Sequence, residues 1–194
     1  MAIDEWLMSQ VGEIPILRFY HWEGDWVSLG YFQSLEAARE IFGPKPQYVR
    51  RWTGGGVVDH RNDATYTLIV PKSNPLASIR GARSYGEIHR ALAACLKSGG
   101  LPCEFVSEEQ EIDSVACFEK PVTWDLLSGG KKIAGAGQRR TRQGMLHQGS
   151  VTVEMPALEE FPSFLSEKSQ SWSPGEIQQI NPRFQTKEWL ERVL

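Results

Sequence analysis

No stretch of this chain is apolar for the roughly 20 residues needed to cross a bilayer. The start, MAIDEWLMSQ, carries Asp4 and Glu5 where a secretory leader would be basic and then apolar. A cytoplasmic protein without membrane association is expected. Cysteine is scarce: three residues, Cys95, Cys103 and Cys117, an odd number without metal-ligand spacing. That excludes a disulfide framework, fits a reducing compartment and gives no reason to expect a metal. Charge of one sign is also lacking. The 21 Lys and Arg against 24 Asp and Glu leave a net charge of −3, which argues against a general nucleic-acid binder. Internal repeats and low-complexity linkers are absent, so residues 1–194 are expected to form one domain with a real core.

What is present is ordinary globular patterning, 41% hydrophobic and 23% charged. IPILRFYHW, DWVSLGYF and ATYTLIV alternate and are rich in β-branched and aromatic residues, so they predict strands. VTWDLL, KKIAGAG and MLHQGSVTVE predict further strands. SLEAAREIFG predicts a short helix with Ser34 as N-cap and Gly43 past its end. SYGEIHRALAACLKSGG predicts a longer one. Ser84 and Glu87 form a capping box, Ile88, Leu92, Cys95 and Leu96 fall on one face, His89 lies on the exposed side, and Gly99 stops it. Beyond Pro156 the prolines predict short helices, TKEWLERVL being the last. Strands outnumber helices and mostly follow one another. The expected class is α+β, with a mixed, largely antiparallel sheet flanked by helices.

Two stretches carry chemistry. In RRWTGGGVVDH three glycines lie between Arg50–Arg51 and His60. Glycine serves where φ is positive or where a ligand touches the main chain, and amides beside two arginines suit a phosphate or carboxylate. The stretch has neither the Lys-Ser/Thr ending of a P-loop nor the spacing of a dinucleotide fingerprint, and a plain hairpin turn explains it equally well. In GGKKIAGAGQRRTRQGMLHQGSV, a lysine before small residues can be held against a carbonyl or phosphate oxygen and stabilise charge developing in acyl transfer. A solvated basic hairpin is the bland alternative.

Together these stretches resemble the lipoate–protein ligase and octanoyltransferase family. RRWTGGGVVDH is similar to its Arg-Arg-x-Ser/Thr-Gly-Gly-Gly-x-Val-x-His motif, and KKIAGAG to its Lys-Ile/Val-Ala/Ser-Gly-x-Ala motif. MAIDEWLM resembles its N-terminal Asn-Met-Ala-x-Asp-Glu-x-Leu motif and VSLGYFQ its Ser-Ile/Leu-Gly-x-x-Gln strand, in family order. The resemblance implies the catalytic-domain fold shared with biotin ligases, without an accessory domain. It implies attachment of an octanoyl or lipoyl group to a lysine of a carrier, either the glycine cleavage H protein or the lipoyl domain of a dehydrogenase complex. By position, Lys132 would contact the acyl carbonyl. Arg51, Thr53, Gly54, Gly55, Gly56, His60, Gly135 and Ala136 would line or border the substrate pocket. His147, in a strand near the second motif, could position the incoming lysine or act as a base, and a satisfied structural histidine explains it equally well. The biotin-ligase signature Gly-Arg-Gly-Arg-x-Gly is absent.

The family holds two chemistries. SVACFEKPVTWDLL places Cys117 where one branch of octanoyltransferases carries its nucleophile. A thiolate there would take octanoyl from acyl carrier protein, need no cofactor, and be activated by Lys132 nearby. The absence of room for an accessory domain favours this route. An ATP- and Mg-dependent ligase acting through lipoyl-AMP, with an idle Cys117, is the alternative; Gly56, the third glycine, is typical of ligases. A non-catalytic lipoyl- or carrier-binding module is a further alternative, against which the retained Lys132 speaks. Asp125 is placed to orient Lys132. Cys95 is expected in the core, and Cys103 is given no role.

Overall fold

The computed structural model describes residues 1–106, 122–152, 161, 163–165 and 178–180. Cys117 and TKEWLERVL lie outside the described residues. Along the chain run α1 (Ala2–Gln10), β1 (Ile16–Tyr20), β2 (Trp26–Leu29), α2 (Leu35–Phe42), β3 (Gln47–Arg50), β4 (Val58–Asp59), β5 (Ala64–Pro71), α3 (Pro75–Ser78), α4 (Gly81–Ser98), β6 (Glu104–Phe105), β7 (Leu126–Ser128), β8 (Lys131–Arg140), β9 (Gly144–Val151) and β10 (Gln178–Ile180).

The main sheet has the order β10-β1-β5-β9-β8-β7-β6, with β10 parallel to β1 and the other pairs antiparallel. A smaller sheet has the order β3-β2-β4. This is the expected α+β class. β5 and β9 are buried along their whole length because both faces of the sheet are covered. Side chains alternate across a strand. Tyr66, Leu68 and Val70 therefore join Ile88, Leu92, Cys95 and Leu96 of α4 in one core. Ile69, with Ile16 and Leu146, packs instead with Leu7 and Met8 of α1. Val27 and Leu29 of the small sheet pack with Ala38 of α2.

Local signals set most boundaries. Ser34 Oγ accepts from Ala37 N at 3.3 Å and caps α2, which ends at Gly43 with φ +78°. The predicted start of α4 is corrected. The helix begins at Gly81, one turn early, and Ser84 lies inside it donating to the Gly81 carbonyl at 2.9 Å. Glu87 pairs with Arg90 instead of closing a box. Nothing in GARS breaks a helix, and Arg140 holds the Ala77 and Ile79 carbonyls just before it, so the turn propagates backwards. His89, expected on the exposed side, is fully buried. VTWDLL becomes a strand only at Leu126, because Trp124 has φ +77° and Asp125 N donates to the Val122 carbonyl in a turn. The short strand β10 was not foreseen.

Candidate active site

Lys132 is the second residue of β8, opposite the short strand β7. Opposite Leu127 the register slips by one residue: Leu126 faces Ala134 while Leu127 faces Lys132. Residues three apart on a regular strand point to opposite faces; the bulge removes that alternation and folds Lys132 back over Gly135. A Cβ on Gly135 would lie 2.7 Å from Lys132 Cε and 2.9 Å from Nζ. A side chain there would have to push the tip of the lysine aside. The Lys132 ammonium pairs with Asp125 Oδ2 at 2.7 Å, with side-chain exposures of 3% and 1%. Asp125 Oδ2 also accepts from Val122 N at 2.8 Å, and Oδ1 accepts from the Tyr85 hydroxyl at 2.5 Å. Tyr85 Oη in turn accepts from Ala136 N at 2.8 Å, taking the edge donor that β7 is too short to meet. A buried pair survives desolvation only when its remaining hydrogen-bonding capacity is met, and here Tyr85 and the turn meet it. The expectation that Asp125 orients Lys132 is thus realised in geometry. Tyr85 was missed, since one tyrosine on a helical face gives no distinctive spacing.

Beside this pair a narrow cavity opens between the two sheets. Gly135, Ala136 and Gly137 of β8 and Gln148, Gly149 and Ser150 of β9 form one wall; Arg51, Val58, His60 and Thr65 form much of the rest. The run of small residues on β8 and β9 leaves a slot against backbone, suited to an extended apolar chain. Gln148 is set by Thr53, whose hydroxyl donates to Oε1 at 2.8 Å, and by Asp4, which accepts from Nε2 at 2.7 Å. Asp4 is wholly buried and paired with Arg18 at 2.8 Å.

The glycine stretch has a different part from the one expected. Gly55 has φ +96°, which a side chain rarely adopts, and this reverses the chain between β3 and β4. The carbonyls of Gly54 and Gly56 turn inward and accept from the Arg51 guanidinium at 3.3 and 2.7 Å. Arg51 also donates to the Ser28 carbonyl and hydroxyl at 3.0 and 2.7 Å. Arg50 donates to the carbonyls of Gly30, Tyr31 and Gln33. These donors are directed at protein carbonyls, which corrects the reading of two arginines awaiting an anion. The stretch borders the cavity through Arg51, with Gly54 to Gly56 behind it.

His60 is nearly buried, stacked on Trp22 with ring centroids 4.4 Å apart. Its Nδ1 lies 2.6 Å from Asp63 Oδ2 and its Nε2 2.6 Å from Ser28 Oγ. This is the order of a Ser-His-Asp relay. Ser28, however, has no exposure and receives Arg51, so the relay serves to fix the clamp on the glycine turn.

For His147 the geometry favours the structural alternative. Alternation along β9 puts Gln148 and Ser150 toward the cavity and His147 on the opposite face, fully buried under α4. Its Nε2 lies 3.0 Å from the Tyr66 hydroxyl and its Nδ1 3.0 Å from Gln138. Burial, and then the neighbouring His89, push its pKa well below the usual histidine value. A sealed neutral ring cannot meet an incoming lysine. Cys95 and Cys103 are buried free thiols. Among the described residues no group of three His, Cys, Asp or Glu could hold a metal ion, and no helix is long and apolar enough to cross a membrane.

The model of the lipoyl protein ligase A/B catalytic domain matches residues 1–185. Octanoyltransferase LipM of Moorella thermoacetica is 37% identical over 166 residues, covering 80% of this chain and 60% of that protein. Octanoyltransferase LipM of Staphylococcus aureus is 35% identical over 179 residues, covering 85% and 65%. The chain thus spans less than two thirds of the length of these relatives. Among solved structures, lipoate-protein ligase A bound with ATP superposes with a TM-score of 0.65 at 22% identity, covering 100% of this chain and 93% of that one. A Thermoplasma acidophilum protein with bound lipoic acid gives 0.65 at 21%, with the same coverage. At such identities the likeness shows the fold.

Proposed function

This chain belongs to the lipoyl protein ligase A/B catalytic-domain family, and from that premise we propose that it is an acyltransferase moving an octanoyl or lipoyl group onto a lysine of a lipoyl-carrying domain. The observation that carries the reading is the buried Lys132–Asp125 pair folded over Gly135 beside a slot walled by small residues. The acyl chain lies in the slot and its carbonyl meets Lys132. The Cys117 thiolate attacks the thioester carbonyl of octanoyl-loaded acyl carrier protein. The oxyanion that forms is stabilised by the Lys132 ammonium, and it collapses to expel the carrier's thiolate. The amine of the acceptor lysine then attacks the Cys117 thioester, loses a proton, and releases the thiolate. No cofactor is consumed.

The glycine at position 56 favours a second reading, an ATP- and Mg-dependent ligase using the same slot. One assay separates the two. The protein is given a lipoyl-domain acceptor with octanoyl-loaded acyl carrier protein and no ATP, or with octanoate, ATP and magnesium. Acceptor acylation is expected in the first mixture, with Lys132→Ala lowering its rate by about 10²- to 10³-fold, as loss of an oxyanion partner does. Acylation in the second mixture alone would establish the ligase. Normal turnover by Lys132→Ala would remove Lys132 from the mechanism.

A further inference from the structure

Behind Asp125, away from the slot, lies a polar chain that no step above uses; its middle members His89, Tyr66 and His147 are wholly buried, and its ends, Gln138 and Trp124, are half-buried. His89 Nδ1 is 2.7 Å from the Trp124 carbonyl, and since a carbonyl only accepts, this nitrogen carries the proton. His89 Nε2, left as acceptor, faces the Tyr66 hydroxyl at 3.4 Å. Tyr66 Oη accepts in turn from His147 Nε2 at 3.0 Å, and His147 Nδ1 accepts from the Gln138 amide at 3.0 Å. Every donor then points one way, from Gln138 through His147, Tyr66 and His89 to the Trp124 carbonyl. Both rings are neutral in this arrangement. Burial lowers His89 to about 4 even though Asp125 pulls the other way.

The end point matters. Trp124 is the single non-glycine residue at positive φ among those described, a conformation that persists only where its surroundings enforce it. The next residue is Asp125. His89 also stacks on the Tyr85 ring, with centroids 4.2 Å apart, and Tyr85 donates to the Asp125 carboxylate. His89 therefore touches both supports of that carboxylate: the carbonyl of the strained residue before it, and the ring that carries its hydroxyl donor.

We propose that His89 is a positioning residue for Lys132, holding the Trp124 carbonyl and the Tyr85 ring so that Asp125 fixes the ammonium beside the acyl slot. The proposal rests on the acyl-transfer reading of Lys132. It predicts that the Nδ1 donor matters more than the ring's volume. Asparagine places an N–H near Nδ1; leucine fills the apolar space without one.

The test compares wild type, His89→Asn and His89→Leu in acyl transfer and in the rate at which acetic anhydride labels Lys132, read by peptide mass spectrometry. His89→Leu is expected to lose on the order of tenfold to a hundredfold in transfer, the cost of a small misplacement, while Lys132 labelling rises several-fold. His89→Asn is expected to stay close to wild type in both. A packing role predicts the reverse order, so His89→Leu matching or exceeding His89→Asn, with unchanged labelling, overturns the proposal. Should His89→Leu not fold, His89→Gln decides. Its amide reaches the Nε2 position and not Nδ1, so it should behave as expected for leucine, and parity with His89→Asn would overturn the proposal. A wild type without any transfer would refute the acyl-transfer reading, while the labelling ratio would still decide what His89 does.

Discussion

Protonation of His89 and His147 opposes folding, and this gives stability a pH dependence of defined sign. Burial lowers His89 from 6.5 to about 4 and His147 well below its usual value. Between those values the unfolded chain binds protons that the native chain refuses. The stabilisation is present in full above pH 6.5 and is lost as pH falls toward 4, with a limiting slope of about 1.4 kcal/mol per pH unit for each histidine. Urea midpoints measured across this range should fall with acidity, and more steeply in wild type than in His89→Asn. Equal slopes would mean His89 is charged in the native state. Gly135 offers a second prediction at this scale. Gly135→Ala would press a methyl group onto Lys132 Cε and Nζ; transfer should fall by on the order of tenfold or more while the fold is retained. An unchanged rate would show that the lysine has room the geometry denies.

The elements show what the sequence reveals and what it hides. The apolar face of α4 was legible because Ile88, Leu92, Cys95 and Leu96 recur at helical spacing, and that face does pack on β5. Its first turn was not, since Ser84 and Glu87 satisfy a capping pattern that continuing the helix outweighs. The lysine motif was legible as KKIAGAG, yet the bulge that folds Lys132 over Gly135 depends on the pairing of β7, which no local pattern specifies. The cations of RRWTGGG were legible as a charged turn. That Arg51 is turned on the turn's own carbonyls, and Arg50 on those of Gly30, Tyr31 and Gln33, depends on how β2 and β3 pack, a tertiary fact. The turn from Val122 to Asp125 acts as one unit with α4 and β8. Asp125→Ala leaves Lys132 buried without its carboxylate and should cost about 3–5 kcal/mol, read as a lower thermal midpoint. A change below 1 kcal/mol would show the pair to be solvated. By contrast, Ser34→Ala on exposed α2 should cost only about 1 kcal/mol, the value of one N-cap.

For the molecule as a whole, the cavity exists because two sheets meet with little side-chain volume between them. Gly135, Gly137 and Gly149 of the large sheet face Val58 and the Arg51 clamp of the small one. The small sheet is held to the large one through Thr53 and Gln148, and Gln148 is held by Asp4 of the first helix. Three sequence motifs far apart along the chain are thereby parts of one wall. The measurement that tests this account most directly is the intact mass of the protein after incubation with octanoyl-loaded acyl carrier protein, without ATP, beside a Cys117→Ala control. An octanoyl adduct on the wild type that the variant lacks is the predicted result. No adduct on the wild type, with acceptor modification appearing only when octanoate, ATP and magnesium are supplied, would contradict it.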